Sequence, residues 1–326
     1  EAGHASGEPP TTAARVDMAA TSVARRESSE VPDARWVRTF GLYVEPAGPA
    51  RGEGWASVRV RVLGGAGVED ALRRAGAEID ARGGDVVALI DAASVPDQVA
   101  QLRGVVDALS DVEVRSLVLV QRLDGRFGLR APGQGAAVAA FGRSLALERP
   151  DLAILVMDVA PELELVVERP LARGFVAVGI DAEGRWSLGA RPLRAADYRP
   201  RPLLERGALV LATGGARGIT AACVEALARA SGVRLALLGS TPREQVDDEI
   251  VRTLGRLALA GIEARYWACD LADAAAVAAT LREIVASQGP IAAVVHGAGR
   301  NSPRRVEQVS ASEALAELAP KLLGAH

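Results

Sequence analysis

The sequence has 326 residues, 49% hydrophobic and 24% charged, which is ordinary globular usage and length enough for two domains. A net charge of −3, with acids and bases interspersed, excludes a large basic surface for nucleic acid. The sequence contains no apolar run of about 18 residues, the length of a membrane span, and no secretion signal. Its two cysteines lack disulfide-framework or zinc-ligand spacing. We therefore expect a cytoplasmic protein with no membrane, nucleic-acid or metal partner.

The first part of the chain divides into a linker and a first folded unit. Residues 1–35 mix small, polar and charged residues without apolar periodicity, which predicts a flexible linker. Residues 36–193 alternate strand and helix patterns, which favours a parallel α/β layer. The strand patterns are WVRTFGLYVEP, VRVRVLGG, DVVALIDA, RSLVLVQR and LAILVMDVA; the helical ones are VEDALRRAGAEI, residues 97–109 and GQGAAVAAFGRSLALERP. A hairpin with Glu183-Gly184 as its turn follows.

A second α/β unit follows a second linker. Residues 194–207 carry prolines and charges and predict the linker. Residues 208–326 then repeat strand and helix four times, with strands ALVLA, VRLALLG, ARYWACD and IAAVVHG, and helices from about 217, 245, 273 and 312. Four strands make an incomplete dinucleotide-binding sheet, since such sheets usually have two or three more.

The strongest motif is a glycine-rich turn between the first strand and first helix of the second unit. Glycine permits backbone angles that a Cβ penalises, and it lets the backbone approach a pyrophosphate at the positive end of a helix. The alternative is a tight turn with no ligand. The candidate cofactor-binding residues here are Thr213, Gly214, Gly215, Arg217, Gly218 and Ile219.

The end of the next strand indicates which dinucleotide is bound. An acid there would bind the ribose hydroxyls of NADH, but the sequence runs Leu-Gly-Ser-Thr-Pro-Arg with no acid. Ser240 leaves room for a 2′-phosphate, and Arg243 with Arg217 would form a cationic pocket for it. Arg243 could instead be an ordinary solvated residue at a helix entry. We expect NADPH as the cofactor.

Two further segments follow the third and fourth strands. Asp270-Leu271 places a carboxylate where it could accept a hydrogen bond from the adenine amino group, although Asp270 could equally cap the next helix. The fourth strand ends in small residues that would let the backbone lie against a ribose. We interpret His296 as a structural residue at a strand end and not as a general base or metal ligand. This segment is His296, Gly297, Ala298 and Gly299.

Together these motifs identify a family resemblance. TGGARGIT, LLGS, CDL, HGAG and LAPKLLGA, in this order and spacing, resemble the ketoreductase domains of type I polyketide synthases. The TGGARGIT form is similar to that of polyunsaturated-fatty-acid and enediyne-type synthases. GQGAAVAAFGRSLALERPDL and GARPL of the first unit resemble the structural subdomain of the same family. The resemblance implies an α/β fold of two Rossmann-like units: a degenerate structural subdomain and an NADP-binding catalytic subdomain, the latter incomplete.

The resemblance also implies an activity and a catalytic residue. The lysine of the family's APKxxGA motif corresponds to Lys321, the one lysine among 38 basic residues, and it would support a proton-donating tyrosine electrostatically. The implied reaction is NADPH-dependent reduction of a β-ketoacyl chain, held by phosphopantetheine on an acyl carrier protein beside neighbouring synthase domains. Alternatives are a non-catalytic scaffolding module and a free-standing short-chain reductase.

The sequence departs from the family pattern at three places. The family's serine and tyrosine would follow Lys321 by more residues than the sequence contains, so we expect residues 1–326 alone to be inactive. The loop after HGAG lacks the acidic pair that marks a stereochemical class. Thr220 stands where many reductases have glycine, which is tolerable because that residue already faces the helix.

Overall fold

A computed structural model describes residues 40–50, 54–110, 113–130, 137–170, 172–193, 204–245, 247–322 and 324, and of Arg243 only the backbone. The predicted linker at 1–35 and residues 194–203 of the predicted second linker lie outside this part. The described chain forms two separate sheets, one of eight strands and one of four.

The larger sheet is built from the first unit. Its strands are β1 (Phe40–Pro46), β2 (Arg59–Leu63), β3 (Glu78–Ile79), β4 (Asp85–Leu89), β5 (Ser116–Gln121), β6 (Ala153–Val159), β7 (Gly174–Asp181) and β8 (Gly184–Pro192). They lie in the order β1-β8-β7-β6-β5-β4-β2-β3. All pairs from β3 to β7 are parallel, and the hairpin strand β8 pairs antiparallel with β7 and β1. The predicted α/β class with a parallel sheet is confirmed.

The core of this unit lies on both faces of the sheet. Helices α1 (Ala66–Arg74), α2 (Val95–Ser110) and α3 (Ala137–Glu148) follow β2, β4 and β5. Alternate residues of β5 enter different clusters: Leu117 and Leu119 pack on one face, Val118 and Val120 on the other. Because these strands are buried on both faces, their sequences are nearly continuous apolar runs.

Three predicted boundaries were wrong. The helix expected to run to Ile79 ends at Arg74, because Gly76 takes a left-handed φ of +84° and the chain then forms β3. The hairpin turn is one residue earlier than expected, since Gly184 already pairs with Asp181. The helix expected from about Gln245 begins at Asp248, after a short 3-10 turn at Arg243–Gln245.

The smaller sheet contains four parallel strands. Its elements in chain order are β9 (Leu209–Thr213), α4 (Gly218–Ser231), β10 (Arg234–Gly239), α5 (Asp248–Leu259), β11 (Ala264–Ala268), α6 (Ala274–Gln288), β12 (Ile291–His296) and α7 (Ala311–Leu322). The strands lie in the order β11-β10-β9-β12, so the chain direction across the sheet reverses between β9 and β12. Ligands of open α/β sheets bind outside the carboxyl ends of the strands at such a reversal. No helix in the described part of the chain has the length and apolar character of a membrane span.

The first unit supports the segment that leads into α7. Arg103 of α2 donates hydrogen bonds to the backbone oxygens of Glu307 (3.1 Å) and Val309 (3.0 Å). Glu148 of α3 accepts a bond of 2.9 Å from the Val306 amide, and the Val306 side chain packs against the core between α2 and α3. The two units therefore meet where α2 and α3 contact residues 306–309, and where α2 also packs against α7.

Candidate functional site

A cleft of about 1080 Å³ lies outside the carboxyl ends of β9 to β12. Its walls are the glycine-rich turn, the residues after β10, β11 and β12, and one face of α7. It collects residues that are far apart in sequence at the position expected for a ligand of this fold. The sequence-predicted residues that line it are Gly214, Arg217, Gly218, Ile219, Ser240, Asp270, Leu271, Gly297, Ala298 and Gly299.

The glycines of the turn are required for two different reasons. Gly214 has a φ of +66°, and a Cβ there would lie 2.8 Å from the Gly297 oxygen. Gly215 is packed inward, where a Cβ would lie 2.7 Å from the Cβ of Ala212. Gly218 also has a left-handed φ, +55°, but a Cβ there would meet nothing within 4 Å. The first two glycines thus close the turn onto its neighbours, and the third leaves space on its Cα side beside the N-terminus of α4, whose amide donates to Glu249.

Thr213 and His296 lie behind the cleft and hold its two walls together. Thr213 is 4% exposed, and its hydroxyl lies 2.8 Å from Nδ1 of His296 and accepts a 3.3 Å bond from the Ala298 amide. Neither residue is among those lining the cleft. In the described residues, no group of three or more His, Cys, Asp or Glu side chains could hold a metal ion.

Replacing Thr213 by valine tests this bracing role. The substitution keeps the shape of the side chain but removes the partner of the Ala298 amide and His296, so we expect a loss of about 0.5–1.5 kcal/mol in the free energy of unfolding. Thr253→Val is the matched control, because that buried hydroxyl receives only a long 3.5 Å bond from Arg256. Urea unfolding of both variants measures the difference, and equal losses would contradict the role.

Arg217 points toward the end of β10, where a 2′-phosphate pocket was predicted. Its Nη2 donates 2.9 Å bonds to the Thr241 hydroxyl and to Asp247. Ser240, beside Thr241, is exposed and lines the cleft. The side chain of Arg243, the other predicted member, lies outside the described residues.

Asp270 does not cap the helix that follows it. The N-cap of α6 is Asp273, which accepts bonds from the amides of Ala275 (2.9 Å) and Ala276 (3.0 Å). Asp270 is exposed and lies on the cleft wall, and one of its carboxylate oxygens accepts a 3.0 Å hydrogen bond from the Ala272 amide. This removes the alternative that the sequence left open for Asp270.

Lys321 lies near the end of α7 beside the residues that follow β12. Its side chain covers Gly299, where a Cβ would lie 2.7 Å from the Cε of Lys321. The adjoining face of α7, formed by Ala316, Ala319 and Pro320, lines the cleft. Lys321 itself is exposed and is not among the residues that line the cleft, although both Gly299 and Pro320 beside it are.

A capping box fixes the start of α7. The Ser310 hydroxyl accepts a bond from the Glu313 amide, and the Glu313 carboxylate accepts bonds from the Ser310 amide (2.9 Å) and hydroxyl (2.7 Å). Arg304 is paired with the same carboxylate at 2.6 Å. The amide and hydroxyl of Ser310, with Arg304, lower the pKa of Glu313 from 4.5 to about 2.

This shift makes part of the stability of α7 depend on pH. Because the folded-state pKa lies below the unfolded value, the carboxylate's contribution is complete above 4.5 and is lost as the pH falls toward 2. We expect Glu313→Gln to unfold with a shallower pH dependence than the wild type in this window. Urea unfolding across it measures the slope, with Glu317→Gln as the control, and equal slopes for Glu313→Gln and wild type would contradict the assignment.

Sequence reasoning missed three side chains at this site. Tyr266 of β11 donates a 2.8 Å bond to the Thr241 oxygen, supporting the loop after β10, and burial raises the pKa of its phenol. Asp247 and Glu249, from the start of α5, reach the glycine-rich turn. A motif search could not find these acids, since they belong to the next helix and only the fold brings them to the turn.

Comparison with known proteins places these features in a family. Residues 208–326 match the family model described as the KR domain. Over 257 residues, 73% of the chain, the sequence is 30% identical to erythronolide synthase EryA3 of Saccharopolyspora erythraea, and over 247 residues, 67% of the chain, 30% identical to polyketide synthase ThaG of Burkholderia thailandensis. These matches span 8% and 4% of the relatives. The chain therefore corresponds to a small part of each.

Solved structures share the fold. The ketoreductase PlmKR1, from the first module of phoslactomycin biosynthesis in Streptomyces sp. HK803, superposes with a TM-score of 0.64 at 21% identity, covering 88% of this chain and 68% of that one. An A1-type ketoreductase gives 0.64 at 22% identity, covering 88% and 69%. At these identities the likeness establishes the fold alone, and it extends across both sheets.

Proposed function

Residues 208–326 belong to the ketoreductase domain family found in polyketide synthases, and from this premise we propose that the chain supplies the cofactor-binding part of a ketoreductase that reduces a carrier-bound β-ketoacyl group to the β-hydroxyacyl product. Such domains are oxidoreductases of the short-chain dehydrogenase/reductase superfamily and bind a nicotinamide cofactor. The observation that carries the proposal is the cleft at the strand-order reversal, walled by the glycine-rich turn on one side and the Lys321 segment on the other.

We propose NADPH as the cofactor, with the glycine-rich turn holding its pyrophosphate. The space beside the Cα of Gly218 is empty within 4 Å, and the N-terminus of α4 there suits a phosphate group. Arg217 lies at the end of β10 with its guanidinium half exposed, and it would pair with the 2′-phosphate. Asp270 would accept a hydrogen bond from the adenine amino group, and the Gly297 to Gly299 segment would lie against a ribose.

Lys321 is the residue of this chain that would act on the reaction. Bound NADPH supplies the hydride that is transferred to the ketone carbon. An ammonium beside that position favours the ionised form of a nearby proton-donating phenol, and so lowers its pKa. The Ser310–Glu313 capping box, together with the contacts of Arg103 to residues 307 and 309, fixes the helix that carries the lysine.

The proposed partners are an acyl carrier protein and adjoining synthase domains. The curated relatives are large polyketide synthases, of which this chain corresponds to 8% or less. A β-ketoacyl chain tethered through phosphopantetheine is the substrate class that such an assembly presents to a ketoreductase. The carrier would approach the open side of the cleft.

Substituting Arg217 tests the cofactor assignment. We expect Arg217→Ala to weaken NADPH binding about ten-fold, the effect of losing one charge-assisted hydrogen bond, and to leave NADH binding almost unchanged. Arg229→Ala is the control, because this arginine lies in the last turn of α4, the helix that Arg217 precedes, and pairs with Glu225. Calorimetric titration of the full chain measures both constants. An equal loss for the two dinucleotides would overturn the assignment of Arg217 to the 2′-phosphate.

A further inference from the structure

Two carboxylates occupy the positions around the glycine-rich turn to which a phosphate would bind. The Gly218 amide, at the N-terminus of α4, donates a 3.0 Å hydrogen bond to Oε1 of Glu249. Asp247 is ion-paired at 2.9 Å with Arg217, the residue that precedes this amide. Both acids come from the start of α5, the helix after β10, and not from the turn itself.

An anion that binds at the N-terminus of α4 would meet the charges of these two carboxylates. The first turn of α4 contains no acid of its own, and Arg217, its N-cap residue, makes no side-chain cap. The positive end of the helix is therefore satisfied in part by Glu249, a carboxylate from another element. A phosphate that enters here must displace Glu249 or share the amide with it, and must compete with Asp247 for Arg217.

We propose that Asp247 sets how strongly the site discriminates between NADPH and NADH, and that Glu249 lowers the affinity for both. This inference rests on the proposed binding of NADPH. Asp247 holds Arg217, the proposed partner of the 2′-phosphate, and so lowers the affinity for NADPH but not for NADH, which lacks that phosphate. Glu249 holds the Gly218 amide, the proposed partner of the pyrophosphate that both dinucleotides carry.

Each of the two charges can be removed by a substitution that keeps the local hydrogen bonds and so should leave the protein folded. One oxygen of Asp247 accepts bonds from the amides of Glu249 and Ile250, both 3.2 Å, and so caps α5, whereas the other pairs with Arg217. Asparagine caps helices as well as aspartate does, so Asp247→Asn keeps the cap and loses the charge. In Glu249→Gln the amide oxygen can still accept the Gly218 bond.

The experiment is calorimetric titration of the full chain and its variants with NADPH and NADH. We expect Asp247→Asn to tighten NADPH binding about two- to five-fold, the range for releasing one exposed ion pair, and to leave NADH binding unchanged. Glu249→Gln should instead tighten the binding of both dinucleotides by similar factors. The matched control is Asp248→Asn, which removes the same charge from the same helical turn. In the described structure the side chain of Asp248 contacts neither Arg217 nor the Gly218 amide, so we expect no change.

Each outcome separates this inference from the proposed function. If the wild type binds NADPH but Asp247→Asn leaves the ratio of the two affinities unchanged, the inference is overturned and the cofactor assignment stands. If Asp247→Asn weakens NADPH binding, the aspartate orients Arg217 and does not compete for it, which also overturns the inference. An equal gain in NADPH affinity in Asp248→Asn would show that only net charge matters, which also overturns the inference. A wild type that binds neither dinucleotide overturns both proposals.

Discussion

Gly214→Ala is expected to abolish dinucleotide binding and to lower the free energy of unfolding by about 2–5 kcal/mol, the combined effect of a left-handed φ and of overpacking. The backbone angle of +66° disfavours any side chain. The new methyl group would also lie 2.8 Å from the Gly297 oxygen and 2.9 Å from the Ala298 backbone, neither of which is a flexible side-chain end. The turn and the segment after β12 would have to separate, and these form two walls of the cleft.

Gly261→Ala separates backbone strain from steric contact. Gly261 follows α5 with a φ of +69°, but a Cβ there meets nothing within 4 Å. Its substitution should cost about 1–2 kcal/mol from strain alone and leave NADPH binding intact. Urea unfolding and NADPH titration of both variants make the comparison. If Gly214→Ala were no more destabilised than Gly261→Ala and still bound NADPH, the packing of the turn would not shape the site.

Lys321→Ala is expected to lower kcat at least about 100-fold for NADPH-dependent reduction of a β-ketoacyl pantetheine thioester, the usual size of a lost acid–base contribution. The measurement uses the full natural protein. The lysine side chain lies over Gly299, which lines the cleft, and in the proposed reaction its charge would act on a proton donor. Removing the ammonium raises the pKa of that donor, so the pH profile of kcat should also shift upward.

Lys321→Arg is the informative companion to that substitution. Arginine keeps the positive charge, but its guanidinium is planar and bulkier than an ammonium. There is little room for it beside Gly299, since even a Cβ on Gly299 would lie 2.7 Å from the lysine Cε. We expect partial activity, between that of wild type and Lys321→Ala. The alanine variant must remain folded, which its thermal unfolding reports. A folded Lys321→Ala enzyme with wild-type kcat and an unchanged pH profile would contradict a catalytic role.

The features predicted best from sequence are those that local chemistry determines. Glycine at 214 and 218 is needed because the turn itself requires left-handed backbone angles, so the signal lies within a few residues. The α/β class follows from apolar runs such as β5, which is buried on both faces. The family resemblance rested on five short motifs in a fixed order, and the KR-domain match confirmed it.

The features that sequence reasoning missed depend on contacts between elements. Nothing near Gly218 in sequence indicates that Glu249, 31 residues later, accepts its amide hydrogen bond. The helix predicted to continue past Arg74 stops because Gly76 turns the chain back toward β2, whose partner β3 is only two residues long. Such a short strand carries no periodicity of its own.

The most direct test of the account is a fluorescence titration of the full chain with NADPH. The account predicts saturable binding at one site per chain, competition by NADP⁺, and loss of binding in Gly214→Ala, whereas Gly261→Ala binds as the wild type does. A chain that unfolds cooperatively, and is therefore folded, yet leaves the fluorescence of NADPH unchanged at every concentration would contradict the claim that the cleft beside Gly214 and Arg217 is a dinucleotide site.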